Sequence, residues 1–324
     1  MDSWSNNADT GSAGRDMARA APDPAGSRGQ PAAPAATVAA ATARALVALT
    51  KPKIAFASVV TALAAYGASS PSADAAAIFA LLGATGLAAA GSLALNQWWE
   101  RDTDARMART QIRPLPQGEL SPTVALVWSV TLSVLGIAWL VRAFDPATAA
   151  LAAATIGIYG LLYTPMKRRT RWATEVGSVS GALPPLLGAA AAGNPWSAPA
   201  WVLAGILLFW QMPHFYAIGW IHRRDYGAAG LPLLPVVDHS GDRTARWALV
   251  YSLMLGGALA APWALGPMGA VYGIPATLSG AWILARAWRF RRATGDRRPE
   301  ARQLFRATIF TLPMILLGLV FDSI

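Results

Sequence analysis

An all-α polytopic membrane protein with nine transmembrane helices is the fold class that this 324-residue sequence predicts, and three observations carry that prediction. Hydrophobic residues make up 54% of the chain and charged residues only 14%, a balance foreign to soluble domains of this length. The apolar residues fall into blocks of about twenty, the length that crosses a hydrocarbon core about 30 Å thick. The blocks are rich in Ala, Leu and Gly rather than alternating, so they read as helices, whose backbone groups bond internally as lipid requires.

Residues 1–42 are dominated by Ala, Gly, Pro, Ser and Asp. Such a composition buries too little apolar surface to offset the entropy of ordering, so the segment is read as a disordered cytoplasmic tail. Asp2, Asp9, Asp16 and Asp23 argue against a mitochondrial leader, a class that lacks acids. Residues 43–324 form the transmembrane domain, with apolar blocks at 53–71, 76–97, 121–141, 146–164, 174–192, 198–221, 246–265, 267–285 and 303–321. The absence of cysteine excludes disulfides, thiolate metal sites and cysteine nucleophiles.

Charge placement orients the blocks. Of 27 Lys and Arg residues only Arg142 falls on the side opposite the others, a strong positive-inside bias. The N-terminus and the loops after even-numbered blocks are therefore cytoplasmic, and nine crossings put the C-terminus outside. The +10 net charge is thereby assigned to membrane orientation and not to nucleic acid. Trp98 and Trp99 sit where an interfacial aromatic belt belongs.

The second block ends in NQWWERDTDARMART (96–110). If the helix continues, Asn96, Glu100 and Asp104 lie along one face while Asp102 points away. Carboxylate and amide oxygens suit Mg²⁺, which takes one or two carboxylates and leaves its remaining positions to phosphate and water. The interspersed arginines would balance phosphate charge. The competing reading is a solvated juxtamembrane loop with weak local ion pairs. FWQMPHFYAIGWIHRRDYGAAGLPLLP (209–235) repeats the layout, with Asp225 just past the cytoplasmic end of the sixth block. Two such helix ends facing each other could hold two metal ions against one diphosphate.

His214 lies well inside that block, behind Pro213 and among aromatics, where polar groups face a bundle interior. It is read either as a substrate contact or as a histidine bonded to a neighbouring backbone, for instance at the carbonyl freed by Pro213. His222 and His239 are read as surface residues. YTPMKRRT (163–170) adds a cationic cluster on the same side. GSVSGALPPLLG (177–188) holds Gly177 and Gly181, spaced for close helix approach, and Pro184 and Pro185, which are expected to break the helix within the membrane.

These stretches, in this order, resemble the protohaem IX farnesyltransferase (haem O synthase) family of the UbiA superfamily of intramembrane prenyltransferases. NQWWERDTDARMARTQIRPLP resembles its N-x-x-x-D-x-x-x-D-x-x-M-x-R-T-x-x-R-P signature, and YTPMKRRT, GALPPLLG, WQMPHFYA and DYGAAGLPLLPV are similar to further blocks. The resemblance covers roughly residues 45–322. Glu100 departs from it by standing where the family has Asp, and Glu175 stands where an apolar residue is more usual.

The resemblance implies a UbiA-like helical bundle. It further implies transfer of the farnesyl group of farnesyl diphosphate to a vinyl group of haem b, with water added, giving haem O and diphosphate in a cell membrane. In this reading Asn96, Glu100, Asp104 and Asp225 hold Mg²⁺ and are the catalytic set. Arg109, Arg113 and Lys167 bind the diphosphate, and His214 contacts the haem at iron or propionate. Phe209, Trp210, Phe215 and Tyr216 shield a cationic intermediate. The implied partners are haem b, farnesyl diphosphate, the bilayer and a downstream haem A synthase or terminal-oxidase assembly step. Two alternatives are a UbiA-type enzyme acting on a quinone precursor or chlorophyllide, and a polytopic transporter. The latter predicts ionisable residues along a mid-membrane pathway, where this chain has only His214.

Overall fold

A computed structural model describes residues 35–70, 74–266 and 268–322. Their regular secondary structure is entirely helical, with no strand among the described residues. The predicted tail lies outside the described residues up to position 34, but 35–42 belong to a helix, α1 (Ala35–Leu49). Its sequence AATVAAATARALVAL is dominated by alanine, the strongest helix former, so the tail boundary expected at 42 falls inside an element.

The nine predicted blocks each coincide with a helix. They are α2 (Pro52–Ser69), α3 (Ala75–Asp104), α4 (Pro122–Ala143), α5 (Pro146–Met166), α6 (Ala173–Ala191), α7 (Ala198–Ile221), and, after the short α8 (Arg223–Ala228) and α9 (Leu234–Val237), α10 (Asp242–Leu265), α11 (Ala270–Arg292) and α12 (Arg298–Asp322). The starts follow ordinary capping chemistry. Asp74, Ser121 and Asp145 each accept backbone N–H bonds at the first turns of α3, α4 and α5, satisfying donors that the helix cannot.

Among the described residues, five helices suffice by length and composition to cross a membrane: α3, α4, α5, α7 and α10. A sixth crossing results if α1 and α2, bent by 48° about a short break, count as one span. This is fewer than the nine expected. Glu175 and the Ser, Gly and Pro residues of α6 dilute its apolar character, and arginines at the ends of α11 and α12 do the same there.

The helices pack around two central ones. α6 lies against α2, α5 and α7, while α7 also meets α10 and α12; α3 packs on α2 and α4, and α11 on α10 and α12. The larger core cluster centres on α7, with Tyr216 and Trp220 buried against α10, α11 and α12, and a second joins α2, α3, α4 and α5. Between the two halves lies a cavity. Gly177 makes the packing possible, since a Cβ there would stand 2.6 Å from the Tyr163 ring.

Two local features differ from the sequence reading. α6 is not broken at Pro184 and Pro185 but runs through both. Proline removes the bonds to the carbonyls of Ser180 and Gly181, four residues earlier, and Ser180, Gly181 and Pro184 all line the cavity, where irregular backbone bonding is tolerated. In α5, residues Gly157–Tyr163 form a π-helical stretch, a feature that concentrates at functional sites.

Candidate active site

α3 is 30 residues long, about 45 Å at the helical rise, and so outruns a hydrocarbon layer about 30 Å thick. Its last turns therefore carry Asn96, Glu100 and Asp104 to the edge of the apolar region, on one face of an unbroken helix. Asn96 and Asp104 are each 1% exposed. Three cations close on this face. Lys51 Nζ donates to Asn96 Oδ1 at 2.8 Å, Lys167 Nζ to Glu100 Oε1 at 2.7 Å, and Arg113 Nη1 to Asp104 Oδ2 at 2.5 Å while standing 3.9 Å from Glu100 Oε2.

Each cation is positioned by its own element. Arg113 lies on the loop after α3, where Thr110 Oγ1 donates to the Asp104 carbonyl at 3.0 Å and turns the chain back. Lys167 follows the last residue of α5, its ammonium 4.4 Å from the Tyr163 ring centre. Burial works against that ammonium, but Glu100 and the phenols of Tyr163 and Tyr159 outweigh it and hold it well above the usual lysine range. Lys51 occupies the break between α1 and α2. Gln97 fixes the end of α1 by donating to the carbonyls of Leu49 and Ala48 at 2.8 and 3.2 Å. Asn96 Nδ2 donates to Thr164 Oγ1 at 3.0 Å, and Thr164 in turn donates to the Tyr159 carbonyl at 2.7 Å. The π-helical stretch thus ends on a residue that orients Asn96.

Lys51 and Thr164 escaped the sequence reading. By charge alone Lys51 is one more positive residue on the cytoplasmic side; its signal is the Lys51–Pro52 pair, a cation fixed at a helix start.

Two predicted residues are not brought into this cluster. Arg109 is exposed on the loop. Asp225 lies on α8 with Oδ2 3.6 Å from His222 Nδ1, and no group of three or more His, Asp or Glu poised to hold a metal ion occurs among the described residues. Its neighbour Tyr226 nevertheless packs with Met107, Tyr163 and Met166, so α8 borders the site. Asp102 is exposed beside Arg101.

The residues present fit a divalent cation at the α3 end. Asp104 Oδ1 is buried with no hydrogen-bond partner, a costly state for a carboxylate oxygen. Together with Glu100 and the Asn96 amide it forms the hard-oxygen set that Mg²⁺ accepts.

Tyr159 and Tyr163 also line the cavity, which has a volume of about 410 Å³ and is walled by α2, α3, α5, α6, α7 and Leu312 of α12. Tyr163, against whose ring Lys167 rests, thus joins the polar cluster to an apolar chamber. Trp210, His214 and Phe215 stand on its wall; Phe209 packs against the larger core cluster, and Tyr216, fully buried, donates to Glu175 Oε1 at 2.6 Å.

The His214 ring is stacked on Trp210, with centroids 5.1 Å apart, and lies 4.7 Å from Phe305. Its partner is not the carbonyl freed by Pro213 but the Thr308 hydroxyl, 2.9 Å from Nδ1. Thr308 Oγ1 donates to the Phe305 carbonyl at 2.7 Å. Its one proton is spent there, so Nδ1 carries the hydrogen of the Nδ1–Oγ1 bond and Nε2 keeps a lone pair.

Comparisons with known proteins agree with this geometry. The model of the UbiA prenyltransferase family matches residues 54–309. The protoheme IX farnesyltransferase of Opitutus terrae is 43% identical over 277 residues, 85% of this chain and 93% of that protein. A solved structure of digeranylgeranylglyceryl phosphate synthase superposes with a TM-score of 0.73 at 15% identity, covering 87% of this chain and 98% of that one. A UbiA homologue from Archaeoglobus fulgidus bound to DMAPP and Mg²⁺ superposes with a TM-score of 0.58 at 15% identity, over 83% of this chain and 98% of that one. An acid-bearing helix end ringed by cations over an apolar chamber, in a helical bundle of this topology and with relatives of this identity, has one assignment: the chain belongs to the UbiA prenyltransferase family, in its protohaem IX farnesyltransferase branch.

Proposed function

We propose that the protein transfers the farnesyl group of farnesyl diphosphate to a vinyl group of haem b, with addition of water, giving haem O and diphosphate. The observation that carries this reading is the continuity of the cationic cluster with the apolar cavity through Tyr159 and Tyr163, joined to the 43% identity with the Opitutus enzyme. The diphosphate end is served by Lys51, Arg113 and Lys167. These exchange their carboxylate and amide partners for phosphate oxygens, so little net charge is buried or exposed on binding. Asn96, Glu100 and Asp104 would hold Mg²⁺, which when bound neutralises the diphosphate and makes it a better leaving group. Asp225 and Arg109 would join them only by movement of α8 and of the loop after α3.

As the C1–O bond of the farnesyl group breaks, its electron pair leaves with the diphosphate and an allylic cation remains. The vinyl group supplies the electrons for the new C–C bond, and the cation beside the macrocycle takes up water, which then loses a proton. Tyr159, Tyr163, Trp210 and Phe215 face this chemistry with aromatic surface that stabilises the cation and keeps water away. His214 presents the Nε2 lone pair, which suits the haem iron; a propionate would require a donor.

Membranes containing the protein, incubated with haem b, farnesyl diphosphate and Mg²⁺, are expected to yield the farnesyl-plus-water adduct by mass spectrometry. Its absence, with haem b recovered unchanged, would refute the assignment.

The same reading places all nine long helices after α1 across the cell membrane, with the N-terminus cytoplasmic, the C-terminus outside and haem O passed to an enzyme that oxidises it or to oxidase assembly. It rests on the match of nine helices to nine apolar blocks and on the one-sided charge. Because the chain has no cysteine, single cysteines report cleanly. One at Gln117 is expected to react with a membrane-impermeant maleimide only after permeabilisation, and one at Asn194 from outside; the reverse pattern inverts the orientation.

A further inference from the structure

A second cavity, of about 330 Å³, lies apart from the reaction chamber where the N-termini of α6 and α10 meet, and is lined by Arg171, Trp172, Glu175, Arg243, Arg246 and Trp247. The residue that ties it to α7, Tyr216, follows His214 by two positions, about 200° round the helix, so the cavity belongs to the opposite flank of that helix. Its three arginines have no ion-pair or hydrogen-bond partner among the described residues. The contact recorded for Arg171 is with the Trp172 ring, 5.0 Å from its centroid. Guanidinium groups in this state suit a phosphate group.

Glu175 poses the complementary demand. Its Oε1 accepts the Tyr216 hydroxyl at 2.6 Å, while Oε2 is buried without a partner. A phosphate alone would place a second negative charge beside it. A ligand that answers both demands carries a phosphodiester and a hydrogen-bonding cation a few bonds apart. Trp172 and Trp247, both exposed, mark the headgroup level of a bilayer. Seven residues further on, Val179 and Met254 are exposed on α6 and α10, on the same faces as the two tryptophans, and give acyl chains an apolar track.

We propose that this cavity seats the headgroup of a phosphoethanolamine lipid, its phosphate on Arg171, Arg243 and Arg246 and its primary ammonium donating to Glu175. The site gives a role to a carboxylate that the prenyl-transfer chemistry does not use. Nothing in it depends on the identity of the prenyl acceptor.

The test is lipid retention by the purified full-length protein, read by native mass spectrometry after incubation with phosphatidylethanolamine, phosphatidylglycerol and phosphatidylcholine of matched acyl chains. Retention of phosphatidylethanolamine is expected to exceed that of the other two by about tenfold, the worth of one charge-assisted hydrogen bond. Stepwise N-methylation of the headgroup should erode the advantage on the unmodified protein, as donors are lost. Arg243→Ala with Arg246→Ala, at two exposed positions, should lower retention of all three lipids, and Glu175→Gln should bring phosphatidylethanolamine level with phosphatidylglycerol. Equal retention of the three lipids by the unmodified protein, or undiminished phosphatidylethanolamine retention by the double arginine variant, overturns the proposal. The methylation series decides the ammonium contact even if Glu175→Gln fails to fold.

Discussion

Asp104→Asn is expected to lower kcat/KM for farnesyl diphosphate by about 10³-fold, the scale of losing a principal electrostatic contact to the leaving group. Asp104 is 1% exposed, so its charge acts in a region where water screens little. The substitution preserves shape and can still accept from Arg113, which keeps the loop after α3 in place. What it removes is the negative charge and the unpartnered Oδ1, on which the proposed metal contact of this residue rests. The fold should therefore survive while Mg²⁺ dependence weakens, with the metal concentration for half-maximal rate rising in the same variant. A rate within about threefold of the unmodified protein would remove Asp104 from the catalytic set.

Replacing His214 by Ala is expected to abolish the shift in the haem absorption spectrum on binding and to weaken haem affinity by at least about tenfold. The ring is held by Trp210, Phe305 and the Thr308 hydroxyl, so Nε2 is presented without further ordering. Added imidazole should restore the spectrum in the alanine variant if iron is the point of contact. Thr308→Val separates positioning from contact. It leaves the imidazole in place but deprives Nδ1–H of its acceptor, so affinity should fall by about 1 kcal/mol with the spectral form retained. An unchanged spectrum and affinity in His214→Ala would sink the haem contact altogether.

The helical blocks, the face shared by Asn96, Glu100 and Asp104, and the interior position of His214 were legible because hydropathy and the 3.6-residue period are local properties of the chain. What was not legible depended on partners distant in sequence. Lys51 reaches Asn96 across 45 positions and looks in isolation like any juxtamembrane cation. Thr164 owes its place to a π-helical stretch that GIYGLLY does not announce. Asp225 shares the acidic helix-end pattern of Asp104, but pattern does not fix direction, and its carboxylate pairs with His222. Pro184 and Pro185 misled because proline removes hydrogen bonds without always turning the chain; here α6 runs on and the freed carbonyls border a protein-walled cavity.

The bend between α1 and α2 has a further consequence. Lys51 is the one non-glycine residue with positive φ among those described, at φ 45° and ψ 64°, a conformation that costs an L-residue about 1 kcal/mol or more. Glycine would hold the same bend without that strain. Lys51→Gly is thus expected to melt above Lys51→Met, which keeps the strain, while both lose diphosphate affinity to a similar extent; equal melting temperatures would show the bend to be unstrained. The junction forgoes stability to keep an ammonium against Asn96, which makes the kink a mount for a charge more than a turn in the chain.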